Sequence, residues 1–138
     1  HVFTQMPDQL DVNADPEQCD TFWNGVGCFY PDSYMGQWIE DFWTEEDLFA
    51  QPDDGTADED LGDERCELDP GYLGSYAASS PEEDFAETFS AFVFDLDVPV
   101  GVEPKLDWVE GFPDLTEFRE LQRSSGIPEV PNPFDVCG

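Results

Sequence analysis

Ser80-Pro81-Glu82-Glu83-Asp84-Phe85-Ala86-Glu87-Thr88-Phe89 is the stretch from which the fold of this chain is read. Ser80 ahead of Pro81 is a helix start. The serine hydroxyl accepts from backbone N–H groups that the first turn leaves unpaired, and proline at the first helical position gives up no helical hydrogen bond. Three acids follow where the helix macrodipole favours negative charge. Phe85, Phe89, Phe92 and Val93 then recur at helical spacing and build one buried face, and Ala86 lets a neighbouring helix approach closely. Glu83 and Glu87 are four apart, so both carboxylates leave the same side of the helix, beside the Phe face. Burying an unpaired carboxylate costs several kcal/mol, so a cation, a metal or a shared proton is expected there. Ser80-x-x-Glu83 is also a capping box, which by itself accounts for Glu83.

Upstream, Pro31-Asp32-Ser33 opens a second helix, with Tyr34, Met35, Trp38, Ile39 and Phe42 at spacings of three and four; this aromatic stripe reads as core. The segment between Cys19 and Cys28, with Phe22, Trp23 and Gly25-x-Gly27, reads as a cross-linked turn. Residues 51–70 are rich in Asp, Glu and Gly and are expected to form an exposed acidic loop. Asp53, Asp54, Asp58, Asp60 and Asp63 there carry oxygens that suit calcium, although their spacing does not match the twelve-residue calcium loop, and a solvated charge run accounts for them as well. Downstream, Asp95 to Val102 is proline-broken and reads as a loop or short edge strand. Pro113 to Arg123 reads as a short amphipathic helix with Gly126 as its stop, packed on the Phe85/Phe89 face. Lys105, Arg119 and Arg123 lie in this last third, and the tail 127–138 is proline-rich and extended, anchored by Cys137.

The 138 residues hold 34 Asp and Glu against 4 Lys and Arg, a formal charge of −30. Hydrophobic residues at 39 % and aromatics at 14 % are too many for a disordered acidic tail, so a packed core is expected. A surface this negative repels phosphate backbones and anionic lipid, which argues against nucleic acid and membrane surfaces as partners. No apolar run reaches the roughly 20 residues of a bilayer span, and a soluble, monomeric molecule is expected. Dense like charge destabilises a compact state unless salt screens it, which is the halophilic reading of the composition.

Cys19, Cys28, Cys66 and Cys137 form no C-x-x-C pair, which favours disulfides over zinc knuckles and an extracellular, oxidising compartment. Three pairings are open. The favoured one joins Cys19 to Cys28 around the 21–27 turn and Cys66 to Cys137, tying down the end of the chain. The chain opens at His1 with no Met, as though cut inside an element, so a fragment or a trimmed protein is expected.

Tyr76 followed seven residues later by Glu83, in the frame S-Y-x6-E-D-F-A-E-x-F, resembles the downstream metal-binding segment of gluzincin metallopeptidases of the lethal-factor-like type. His1-Val-Phe-Thr4-Gln is similar to the tail of an HExxHxxT segment. Gly27-Cys28-Phe-Tyr-Pro-Asp-Ser-Tyr34 resembles the cysteine-bearing segment found between the two halves of the site in secreted zinc peptidases. The resemblance implies Glu83 as a zinc ligand, His1 as the second histidine ligand, Tyr76 as the oxyanion donor and Glu87 as an acid that orients a ligand imidazole. It covers residues 1 to about 94. The first histidine and the general-base glutamate of HExxH are not among these residues, so the chain by itself supplies neither three protein ligands nor the base.

The expectation is therefore a mainly α chain, the helical C-terminal subdomain of a zincin-like metallopeptidase with long loops and disulfides, in which 1–138 form a single domain. It would be part of a secreted zinc enzyme that hydrolyses peptide bonds, inactive as an isolated fragment. The rival reading is a non-catalytic acidic extracellular module that binds cations or a protein partner. Copper chelation by a free N-terminal histidine needs a second imidazole, and His1 is the one histidine of the sequence; an exposed His1 with no ligand role is the plain alternative.

Overall fold

The computed structural model describes residues 1–126 and 134–137. The chain is mainly helical, as expected, with seven α-helices and one two-stranded sheet among the described residues. Strand β1 (Leu10–Asp11) pairs antiparallel with β2 (Cys28–Phe29), Leu10 opposite Phe29. Helix α1 (Tyr34–Phe42) starts at Ser33, whose hydroxyl accepts from Gly36 N–H at 3.0 Å. Thr44 caps α2 (Glu45–Ala50) in the same way. Asp58 caps α3 (Glu59–Leu68) through Leu61 N–H. The single turn α4 (Ser75–Ala78) leads into α5 (Pro81–Phe94), which Ser80 caps through Glu83 N–H and which ends where Asp95 takes the left-handed conformation at φ 56°. Such side-chain caps are worth about 1 kcal/mol each. Helices α6 (Glu103–Glu110) and α7 (Pro113–Ser124) follow, each with proline in its first turn.

Helix α5 is the centre of the fold, in contact with α1, α4, α6 and α7. Phe85, Phe92 and Val93 are buried and Phe89 is half-buried, so the predicted face is the core face. Trp38, Met35 and Ile39 of α1 are buried against it, with Trp38 edge-on to Phe85 at 5.2 Å between centroids. Helix α7 packs on α5 through Phe118 and Phe89, also as expected. Both disulfides of the favoured pairing are formed, Cys19–Cys28 and Cys66–Cys137. The tail expected to be extended lies largely outside the described residues; of it, Cys137 is bonded to α3 as anticipated.

The 51–70 segment corrects the sequence reading. It is not an acidic loop throughout: 59–68 form α3, and Gln51 and Arg65 are buried. The helix carries little apolar surface and is held by a buried cation, Arg65, by the Cys66–Cys137 bond and by close packing on α4. Arg65 donates to Gln51 Oε1 at 2.6 Å, to the Ala78 carbonyl at 3.0 Å and to the Asp47 carbonyl at 2.8 Å, while its Nε meets the Asp47 carboxylate at 3.2 Å. Gly62 lets α3 lie against α4, since a Cβ there would collide with the Ser75 carbonyl. Lys105 lies on α6 and is buried with Asp84. Asp84 is fully buried and receives Lys105 Nζ at 2.8 Å, Trp38 Nε1 at 3.1 Å and Trp43 Nε1 at 3.0 Å. Burial pushes its carboxyl up, and Lys105 and the two indole N–H groups oppose that. This hub locks α1, α5 and α6 together at the first turn of α5.

Candidate functional site

The first turn of α5 presents Glu82 and Glu83 on the side away from Asp84. A 3-10 turn at Val2–Thr4 brings His1 over them. The turn is anchored by Phe3, which sits edge-on to Phe89 at 5.5 Å and to Phe118 at 5.2 Å, and by Thr4, which is buried and donates to the His1 carbonyl at 2.8 Å. His1 Nε2 stands 3.3 Å from a Glu83 oxygen, and Nδ1 stands 3.9 Å from Glu82. The imidazole is about half-exposed, at 45 %, while the Glu83 side chain is only 17 % exposed. Residues 82 positions apart in the sequence therefore meet.

Tyr76, on α4, lies near enough to Glu83 for the carboxylate charge to act on its hydroxyl. Burial first, and then the Glu83 charge, push its hydroxyl above the ordinary tyrosine range, so it stays a proton donor at neutral pH. Glu87 lies one turn beyond Glu83 on α5 and is partly buried. Burial, followed by the nearby Glu83 and Asp84 charges, pushes its carboxyl up to about 7. Glu82 is likewise raised, by burial first, against a hydrogen bond from Gln5 at 3.4 Å.

Of the residues named from the sequence, His1 meets Glu83, and Tyr76 and Glu87 lie near enough to Glu83 for its charge to act on them. The capping serine is engaged as expected, through the Glu83 backbone N–H, which leaves the Glu83 carboxylate to face His1 and Tyr76. Glu82 is the member that the sequence reading missed. It faces Nδ1 of His1, the position that the reading gave to Glu87, whose neighbours are Glu83, Asp84 and Tyr76.

Two ligands held at about 2.0–2.1 Å in a tetrahedral zinc site stand about 3.3–3.4 Å apart, so the His1–Glu83 separation fits that ion. Among the described residues, however, no group of three or more His, Cys, Asp or Glu side chains is arranged to hold a metal. The acids considered for calcium are divided between a turn and a helix. Asp54 accepts from Thr56 N–H at 3.1 Å and from its hydroxyl at 2.7 Å, Asp58 caps α3, and Asp60 and Asp63 lie on α3. No helix of the described residues is long and apolar enough to cross a membrane. Compared with protein-family models, curated proteins and solved structures, the chain matches none of them.

Proposed function

We propose that this chain is the C-terminal portion of the catalytic domain of a secreted zinc-dependent peptidase, contributing two zinc ligands, His1 through Nε2 and Glu83 through its carboxylate. The observation that carries the reading is the 3.3 Å approach of an imidazole nitrogen to a shielded carboxylate oxygen, with Tyr76 near enough to feel the charge of that carboxylate. When bound, zinc supplies Lewis-acid polarisation of the scissile carbonyl and a water acidified to a pKa of about 7.

The remaining work falls to side chains. Tyr76, half-exposed and kept protonated, donates a hydrogen bond to the oxyanion that develops on the peptide carbonyl, an interaction worth roughly 3 kcal/mol. Glu82 stands 3.9 Å from His1 Nδ1 and places negative charge on the ring edge away from Nε2. Glu87, poised near neutrality behind Glu83, limits the negative charge that accumulates around the ligand carboxylate. The reading further requires a second imidazole and a general-base carboxylate from residues outside these 138, since His1 is the one histidine here. Two disulfides suit an oxidising compartment, which supports secretion.

The test is a zinc titration of the complete protein beside its Glu83→Gln and His1→Ala variants, with hydrolysis of a generic peptide as second readout. Each variant is expected to weaken zinc binding at least about tenfold and to abolish hydrolysis. Unchanged zinc affinity in Glu83→Gln removes Glu83 from the site and ends the reading.

A further inference from the structure

A cavity of about 330 Å3 opens beside Tyr76, between α3, α4, α5 and residues 134–135. That is the low end of the range for ligand pockets, enough for one side chain. Its walls are of two kinds. Leu73, Phe134 and Tyr76 bring apolar surface, while Glu59 and Asp63 of α3, Glu87 of α5 and Asp135 are acidic. Glu59 and Asp63 are four apart and so share a face of α3. The opposite wall is fixed: Cys137 is bonded to Cys66, and the Asp135 carbonyl lies against Gly74, where φ is +153° and a Cβ would collide with it.

An aliphatic stem ending in a cation fits such walls, because lysine and arginine lay their methylenes on apolar surface and carry the charge at the tip. A purely apolar side chain would leave the carboxylates without counter-charge, and an acidic one would be repelled.

We propose that this cavity is the subsite for a lysine or arginine side chain of the peptide substrate, next to the scissile bond held at Tyr76 and Glu83. The word substrate rests on the peptidase reading; the affinity for a basic side chain does not.

The test titrates the intact protein, metal-free and at 0.15 M salt, with N-acetyl-arginine amide and with its uncharged isostere N-acetyl-citrulline amide, followed by amide NMR shifts. The arginine amide is expected to bind about fivefold more tightly, the size of one screened ion pair near a surface, with shifts confined to α3, α4, the Glu87 turn of α5 and residues 134–135. Glu59→Gln with Asp63→Asn, both exposed positions, is expected to bring the ratio to about one. Glu45→Gln with Glu46→Gln, exposed on α2 and outside the cavity, is expected to leave it unchanged. Equal affinities for the two amides overturn the proposal, and so does an equal loss in the α2 variant, which would show only the attraction of a −30 chain for any cation. Zinc binding that survives Glu83→Gln while the arginine preference persists defeats the peptidase reading and leaves the pocket's affinity standing. Zinc binding lost in that variant with no arginine preference defeats the subsite alone.

Discussion

Replacing Lys105 with methionine keeps most of the side-chain volume and removes the ammonium that Asp84 receives at 2.8 Å and that the Gly71 carbonyl accepts at 2.6 Å. Asp84 is fully buried, so its charge is left with the indoles of Trp38 and Trp43 alone. Removing one partner of a buried pair costs about 3–5 kcal/mol; the two retained indole bonds place the expected loss near 3 kcal/mol, or roughly 10 °C in Tm for a chain of this size. Urea unfolding at pH 7 in 1 M NaCl, followed by tryptophan fluorescence, measures it with surface repulsion screened. The sign of the pH dependence follows from Asp84, whose folded carboxyl is already raised by burial and rises further without Lys105. A carboxyl raised in the folded state destabilises as it ionises, so the variant recovers stability as pH falls from 7 to 5. Asp84→Asn combined with Lys105→Met is expected to recover at least half of the loss, because the amide oxygen still accepts from the indoles. A loss below about 1 kcal/mol at pH 7, or the same loss at pH 5, refutes the account of this hub.

Glu87→Gln removes a carboxyl raised to about 7, whose contribution is complete below the ordinary carboxylate range and lost as pH rises through 7; the variant should be more stable than the parent at pH 8 by roughly 1 kcal/mol, discounted for partial exposure, and the two should converge at pH 4 in thermal melts. Opening the Cys66–Cys137 bond with alanine at both positions frees a 71-residue separation and should cost about 4 kcal/mol by loop entropy, against about 2.5 kcal/mol for Cys19–Cys28, so the ranking of the two variants in urea midpoints is the check. Gly62→Ala drives a methyl into the Ser75 carbonyl and should cost about 1–3 kcal/mol despite alanine's better helix propensity; a gain in stability would show that α3 and α4 are not held in close contact.

Helices α1 and α5 were legible in the sequence because two independent local signals coincide in each, a capping serine and apolar residues at helical spacing. Helix α3 was not, because its residues lack an apolar stripe and are held by tertiary contacts of Arg65 and by the absence of a side chain at Gly62. The available signal was Asp58 followed by Glu59 and Asp60, a cap with acids in the first turn, which a reading dominated by charge density passes over. The Asp84–Lys105 pair is a contact between helices that no spacing rule predicts. At the candidate site, Tyr76, Glu83 and Glu87 were named from a frame within one short stretch, and the structure adds His1 to them through Phe3 and Thr4. Glu82 escaped because adjacent residues on a helix point about 100° apart, and only the position of the imidazole shows which neighbour it meets.

Each of the four basic side chains is committed to a carboxylate of the same chain: Arg65 to Asp47, Lys105 to Asp84, and Arg119 and Arg123 to Asp95. Amine-directed crosslinkers and dyes therefore find in Lys105 a buried and occupied target, and mapping a binding partner calls for carbodiimide coupling through carboxyls instead. Tryptic digestion of the native molecule should begin in α7, at Arg123, the most accessible of the four guanidinium and ammonium groups.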